Sequence, residues 1–269
     1  MVSHYLLRWV QAFITALQFL TRLPIPLHIA FTNETTRRSV VFFPFAGLLI
    51  GLLVTSSGAV LQHLLPALPA AVMMLAVWVA LSGGLHLDGW MDTADGVLSH
   101  RSRERMLEIM KDSRVGAMGV IAGVLLLLLK FALLSAQLEQ QLSWIVMGHL
   151  IAIPVWSRLA MAMAMVGWRM ARGSEGMAGL FGGVGTRHLM GSCAVTLTAI
   201  LTVYLLMGMS PGAAMFYLVA AFIITIIASW GMGWWLNRKL GGLTGDTYGA
   251  INEAVEVVLL IALAIWMHL

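Results

Sequence analysis

The sequence predicts an all-α, polytopic integral membrane protein, a bundle of about seven transmembrane helices with an N-terminal interfacial helix. Three observations carry that expectation. The mean hydropathy is +0.90. Of the 269 residues 60% are hydrophobic and only 10% are charged. Apolar runs of roughly 18 to 25 residues, long enough to cross a bilayer, recur along the chain. Polar segments stay shorter than about 30 residues, so residues 1–269 read as one membrane-embedded domain.

The elements follow in order. Residues 1–38 lack a small-residue cleavage site after a short apolar core, which sets them apart from a signal peptide. Arg8, Gln11, Thr15, Gln18 and Arg22 recur at spacings of three and four on an apolar background closed by Pro24 and Pro26. That stripe predicts a helix lying in the headgroup plane. Spans are expected at 39–64, 67–85, 115–135, 143–168, 188–207, 212–236 and 249–268. The segments between them alternate in basic content. Arg8, Arg22, Arg37 and Arg38 precede the first span, and Arg101, Arg103, Arg105, Lys111 and Arg114 lie in 86–114. Arg169, Arg172 and Arg187 fall in 169–187, Arg238 and Lys239 in 237–248, and the turns near 65, 136–142 and 208–211 carry none. Fourteen of the 16 Lys and Arg residues thus share one side, which the positive-inside rule makes cytoplasmic and, in a bacterium, places at the inner membrane. This distribution accounts for the net charge of +4 and the pI near 9.6 without a nucleic-acid partner. The lone Cys193 excludes a disulfide framework and a thiolate metal site.

The acidic residues also gather on the basic side. The island GGLHLDGWMDTADG (Gly83 to Gly96) holds Asp88, Asp92 and Asp95, whose i, i+4, i+7 spacing puts them within about 60° on one helix face. Like charges so crowded at a membrane boundary repel unless a cation lies between them. A divalent site of hard oxygen ligands, Mg2+ foremost, is the expectation. His86, two residues earlier, serves as a ligand contact or as an interfacial hydrogen-bonding group. A second cluster, Arg101 to Gly116, reads as an amphipathic helix with Glu104, Glu108 and Asp112 at i, i+4, i+8 and Lys111 and Arg114 at its end. It is either a solvated helix laced with ion pairs or a second acidic face closing on the same cations. Carboxylates beside arginines suit a pyrophosphate, with metal on the bridging oxygens and guanidinium on the others.

A third element, Lys239 to Glu256, has glycines at 241, 242, 245 and 249 that let backbone N–H groups approach an anion. Asp246 there could merely complement a helix dipole, whereas Glu253 and Glu256 enter an apolar span and need partners. Arg158, deep in its span, needs a carboxylate, with Glu253 and Glu256 as candidates; Lys130, read as close to the far end of its span, is expected to snorkel and receives no role. The segment Gly173 to Gly185, six of whose 13 residues are glycine, reads equally as a mobile lid or nucleotide-contacting loop, or as an unstructured connector, and it is no P-loop.

At these residues the chain resembles the cobalamin synthase family (adenosylcobinamide-GDP ribazoletransferase). The matching stretches are LQFLTRLPIP from Leu17, FFPFAG from Phe42, the aspartate island, RERMLEIMKDSRVG from Arg103, ARGSEGM from Ala171 and GGLTGDTYGAINE from Gly241. The resemblance implies a Mg2+-dependent membrane enzyme that joins alpha-ribazole or its 5′-phosphate to the corrinoid-side phosphorus of adenosylcobinamide-GDP, with release of GMP. It is also similar to CDP-alcohol phosphotransferases: Asp92 to Gly96 matches their DxxDG, and Glu108 with Asp112 their DxxxD, with Glu in place of the first Asp. On this basis Asp88, Asp92, Asp95, Glu108 and Asp112 are expected to hold metal, Asp112 and Asp95 to act catalytically, and Arg101, Lys111 and Arg114 to bind phosphate. His86, Arg158, Glu175, Asp246 and Glu253 are expected to contact substrate. The lipid bilayer is the standing partner, and a homo-oligomer or a biosynthetic complex is compatible with the pattern. A lipid-type CDP-alcohol phosphotransferase and a divalent-cation transporter are the competing classes; clustering of the acids at one face, with no internal repeat, speaks against transport.

Overall fold

The computed structural model describes residues 2–173 and 179–268, and among them every regular element is helical apart from one isolated bridge between Met170 and Leu243. The order is α1 (Val2–Leu20), α2 (Asn33–Ser39), a 3-10 turn (Val40–Phe42), α3 (Phe43–Leu61), α4 (Ala67–Ser82), α5 (Leu85–Leu98), α6 (Arg103–Ile109), α7 (Ala117–Glu139), α8 (Trp144–Gly167), α9 (Thr186–Leu206), α10 (Pro211–Leu240) and α11 (Gly245–His268).

Among the described residues six segments are long and apolar enough to cross a membrane: Asn33–Leu61, α7, α8, α9, α10 and α11. The first starts earlier than the expected residue 39, because α2, the 3-10 turn and α3 run on without a break. The expected span 67–85 differs most. At 16 residues, α4 reaches only about 24 Å, short of a hydrocarbon core of about 30 Å. At its end the chain turns by 89° into α5, so the seventh span exists only as this broken pair. Gly83 and Gly84 make the corner with φ of +63° and +69°, values that side-chain-bearing residues rarely adopt.

The central element is α8. Of its apolar window 78% is buried inside the protein, against 28% for α7 and α9 and 22% for α10, which face outward. It is packed most closely by α3. A Cβ on Gly47 would lie 2.2 Å from the Pro154 carbonyl oxygen, and one on Gly51 would lie 2.3 Å from that of Ile151. Two glycines four residues apart thus let the α3 and α8 backbones touch, the small-residue packing that helices in lipid rely on.

The polar stripe of α1 is used inward. Thr15 is buried with Ala12, Ala16 and Leu20, Gln18 Nε2 donates to the Leu27 carbonyl at 2.6 Å, and Arg8 reaches Glu34 at 3.4 Å. Leu6, Leu7 and Val10 stay exposed. The stripe therefore holds the helix to the linker that follows it, and its apolar side is the free one. The second half of the glycine-rich connector is anchored too: Thr36 Oγ1 donates to the Leu180 carbonyl at 2.7 Å, and Phe181 packs between Phe19 and Phe43. Its residues 174–178 lie outside the described residues.

Because α3 and α8 meet backbone to backbone, Gly51→Leu has nowhere to put its side chain. It should lower stability by more than about 2 kcal/mol, read as a depressed unfolding transition in detergent, while the exposed Gly212→Leu leaves the transition in place.

Candidate functional site at the basic end of the bundle

The corner between α4 and α5 sets the site. The Arg22 backbone N–H donates to the Leu81 carbonyl at 2.8 Å, and the Arg22 side chain lies so close to Gly83 that a Cβ there would meet Nε at 2.1 Å. The N-terminal segment thereby clamps the turn. Beyond it α5 leaves the crossing direction and presents Asp88 (exposed), Asp92 (half-buried) and Asp95 (9% exposed) along its length. It lies against α11 through Gly89, where a Cβ would come within 2.6 Å of the Asp246 carbonyl oxygen.

The three aspartates have different surroundings. Burial, together with the charges of Asp88, Asp246 and Asp95, pushes the Asp92 carboxyl up to about 7, and Arg172 opposes the rise. Like charge is therefore crowded around Asp92, a condition that a bound cation relieves. Asp95 is occupied. Its two oxygens accept the backbone N–H groups of Gly116 and Gly119, each at 2.7 Å, and so satisfy the start of α7. That duty leaves it poorly disposed to take part in catalysis, the role expected for it.

Glu108 and Asp112 do not join this group. The helix expected over 101–116 stops at Ile109, so Asp112 sits in the turn beyond it and leaves the Glu104–Glu108 face. Glu108 pairs with Arg105 at 2.7 Å. Asp112 is gripped by Arg114 through Nη2 at 2.7 Å and Nε at 3.0 Å, and this pairing brings its carboxyl down to about 2. A carboxylate so acidic is a weak proton acceptor, which goes against the catalytic role expected of Asp112 as a base toward the ribose hydroxyl. Among the described residues no three His, Cys, Asp or Glu side chains form a ready metal cage. Arg101 and Lys111 are exposed beside α6, and Glu175 lies outside the described residues.

The opposite wall is built by two loops. Residues 169–171 pair with 241–243 through Leu243 N to the Arg169 carbonyl at 2.9 Å and Ala171 N to the Leu243 carbonyl at 2.8 Å. This pairing sets Arg172 over the start of α11, where Nη1 meets Asp246 at 3.2 Å and Nη2 donates to the Leu107 carbonyl of α6 at 2.9 Å. Between the walls lies a cavity of about 880 Å³, counted to its open mouth, lined by His86, Asp88, Arg172, Asp246 and Tyr248 among apolar neighbours. Sequence reasoning gave no site role to Arg172 or Tyr248. The signal was present for both, Arg172 in the ARGSEGM stretch and Tyr248 in GGLTGDTYGAINE. A second cavity, at the far end around His149, Tyr204, Tyr217 and Trp266, has no Asp, Glu, Lys or Arg in its lining and is unsuited to a diphosphate with its metal.

Beneath the first cavity runs a buried ionic network. Lys130, expected to snorkel, is 3% exposed and overturns that expectation: its Nζ donates to Glu253 at 2.5 Å and to Glu256 at 2.6 Å, and it lies 4.9 Å from the Trp78 ring centre. Arg158 finds the carboxylate it needs in Glu256, whose Oε1 also lies 3.1 Å from Asn252 Nδ2 and from Ser157 Oγ. Arg158 Nη2 approaches His86 Nδ1 at 3.3 Å. Arg158 is 0% and Glu253 7% exposed, and neither lines the cavity, so both sit behind the cavity wall, away from the substrate contact expected of them.

Comparison with known proteins agrees with the motifs. The family model for cobalamin-5-phosphate synthase matches residues 12–264. The chain is similar to the adenosylcobinamide-GDP ribazoletransferase of Geotalea daltonii, 36% identical over 255 residues that cover 94% of this chain and 97% of that protein. To its namesake in Brevibacillus brevis it is 38% identical, covering 94% and 98%, and to that of Escherichia coli 40% identical, covering 92% and 96%. No solved structure matches.

Removing one partner from a buried ion network strands a charge. Lys130→Met should therefore cost about 3–5 kcal/mol, seen as early unfolding in detergent, and Lys130→Met/Glu253→Gln should recover most of the loss.

Proposed function

The chain belongs to the cobalamin-5-phosphate synthase family, and from that premise we propose that it transfers the phosphocobinamide part of adenosylcobinamide-GDP to alpha-ribazole or its 5′-phosphate. A ribose hydroxyl oxygen forms a bond to the corrinoid-side phosphorus, the bond from that phosphorus to the GMP oxygen breaks, GMP departs with the electron pair, and the hydroxyl proton is released. The product is adenosylcobalamin or its 5′-phosphate. The observation that carries this reading is the meeting of Asp88, Asp246 and Arg172 in the lining of one cavity, with Asp92 near enough to feel the charge of all three.

The donor set fits magnesium. All the candidate ligands are hard carboxylate oxygens, and Mg2+ commonly takes one or two protein carboxylates, completing its shell with water and substrate phosphate. A complete protein cage is therefore not required. Asp88 and Asp92, with Asp246 across the cavity, would hold the ion. When bound, the metal neutralises diphosphate charge and steadies departing GMP. Arg172 offers its guanidinium to the phosphates, and its Nε is buried without a hydrogen-bond partner. Asp95 acts indirectly by fixing α5 to the start of α7. Arg101 and Lys111, exposed beside α6, whose Leu107 carbonyl Arg172 meets, add positive potential that draws an anionic substrate toward this end, whereas Arg114 is taken up by Asp112. The concentration of basic residues at this end supports a site that opens to the cytoplasm across the bacterial inner membrane.

Purified protein in liposomes, supplied with adenosylcobinamide-GDP, alpha-ribazole and Mg2+, tests this by GMP release. Asp92→Asn should lower turnover at least about 100-fold, whereas Asp112→Asn should stay within about tenfold of wild type. Stripping divalent cations with EDTA should abolish release, and added Mg2+ should restore it. Normal turnover by Asp92→Asn would refute the assignment.

A further inference from the structure

The cavity described above holds two polar atoms that its phosphate chemistry leaves unused. His86 is 1% and Tyr248 2% exposed, both line the cavity, and both His86 Nε2 and the Tyr248 hydroxyl are buried with no hydrogen-bond partner. Unpaired polar atoms are costly in an interior and are rare without a reason. Around them the walls are apolar: Phe19, Phe181, Met161, Met165 and Met170. Methionine and phenylalanine faces suit a flat aromatic ring.

The hydrogen-bonding character of His86 can be worked out from its neighbour. Arg158 carries only donors, so its approach to Nδ1 at 3.3 Å makes that nitrogen the acceptor. The ring proton then sits on Nε2, and His86 presents a single N–H donor to the cavity. Arg158 is itself held by Glu256, and Glu256 by Lys130, so the orientation of the imidazole is set from behind by the ionic network. A pocket with apolar walls and a fixed donor accepts a ring whose nitrogen offers a lone pair and no N–H. A benzimidazole-type base joined to ribose through one nitrogen has that character. Guanine also has an acceptor in N7, but its N–H and amino group would be left unpaired against these apolar walls, a desolvation cost that a benzimidazole does not incur.

Building on the proposed transfer reaction, we propose that this cavity seats the heteroaromatic base of the acceptor nucleoside, with His86 Nε2–H and the Tyr248 hydroxyl on its ring nitrogen side and the methionine and phenylalanine walls on its faces. The ribose then lies toward Asp88, Asp246 and Arg172, the end of the cavity where Arg172 and the carboxylate-held metal would take the phosphates. In this assignment His86 and Tyr248 touch substrate, and Arg158 is a positioning residue that acts through His86.

Equilibrium dialysis of the detergent-solubilised full chain against free alpha-ribazole, with no corrinoid present, reads the subsite separately from turnover. His86→Leu and Tyr248→Phe should each weaken alpha-ribazole binding about tenfold and raise its KM in parallel, with the KM for adenosylcobinamide-GDP unmoved. His86→Gln, whose amide can face Arg158 with oxygen and the cavity with N–H, should recover most of the binding; a role confined to fold stability predicts no such recovery. Tyr248→Phe removes one oxygen and guards against loss of fold in the histidine variants. Unchanged alpha-ribazole binding in folded variants would overturn the assignment. So would variants that weaken GDP or guanosine binding instead, since the cavity would then hold the guanine of the leaving group. Wild-type protein that binds alpha-ribazole but releases no GMP would sink the transfer reaction and leave the base subsite standing.

Discussion

The neutral quartet of Lys130, Glu253, Glu256 and Arg158 is the constraint on which the basic end of the bundle depends. Two positive and two negative side chains, drawn from α7, α8 and α11, are enclosed where water cannot solvate them. A single such charge in a membrane interior costs several kcal/mol, so none of the three helices can rotate or slide without stranding another's charge. Stability alone is a weak reason to retain such a network, because apolar replacements of similar volume often do as well. What the quartet adds is orientation: it sets the face that each helix turns to its neighbours, and through Arg158 it sets His86 on α5.

A second constraint follows from the broken span. Were α4 and α5 one straight helix, the aspartate island would continue along the crossing direction and no wall would face α11. The left-handed pair Gly83–Gly84 and the Arg22 clamp send α5 off at 89° instead. Charged groups that could not survive in lipid then lie across the end of the bundle, with the cavity on one side and the start of α7 on the other. Asp95 joins α5 to α7, and the close backbone contact at Gly89 joins it to α11. One short helix is thereby pinned on both sides, as a surface that orients reacting phosphates requires.

The division of labour among the acidic residues follows from their neighbours. Asp92 is crowded by like charge and is ready for a cation; Asp95 is spent on two backbone amides; Asp112 is neutralised by Arg114. Three similar carboxylates within 21 residues thus have three different surroundings. Arg172, placed by the loop pairing with residues 241–243, enters where a second acidic helix had been expected to stand.

Much was legible in the chain itself. Apolar runs of crossing length, and basic residues confined to alternate connections, determine a multi-spanning bundle with one charged end, because bilayer thickness and membrane potential act on composition alone. The i, i+4, i+7 spacing determines that Asp88, Asp92 and Asp95 share a helix face, and Arg158 in an apolar span determines that a buried carboxylate must meet it. Other features depended on contacts between residues distant in sequence. Lys130 looked free to reach the interface because α7 is leucine-rich on every side and does not announce which face turns inward; Glu253 and Glu256 decide it. Asp95 looked identical to Asp92 until the amides of Gly116 and Gly119 arrived 21 and 24 positions later in the chain. Tyr248 lay in the GGLTGDTYGAINE stretch, but nothing in the stretch showed that its hydroxyl would line a cavity. Periodicity reports which residues share a surface of one helix, whereas what that surface meets is settled only when the helices pack.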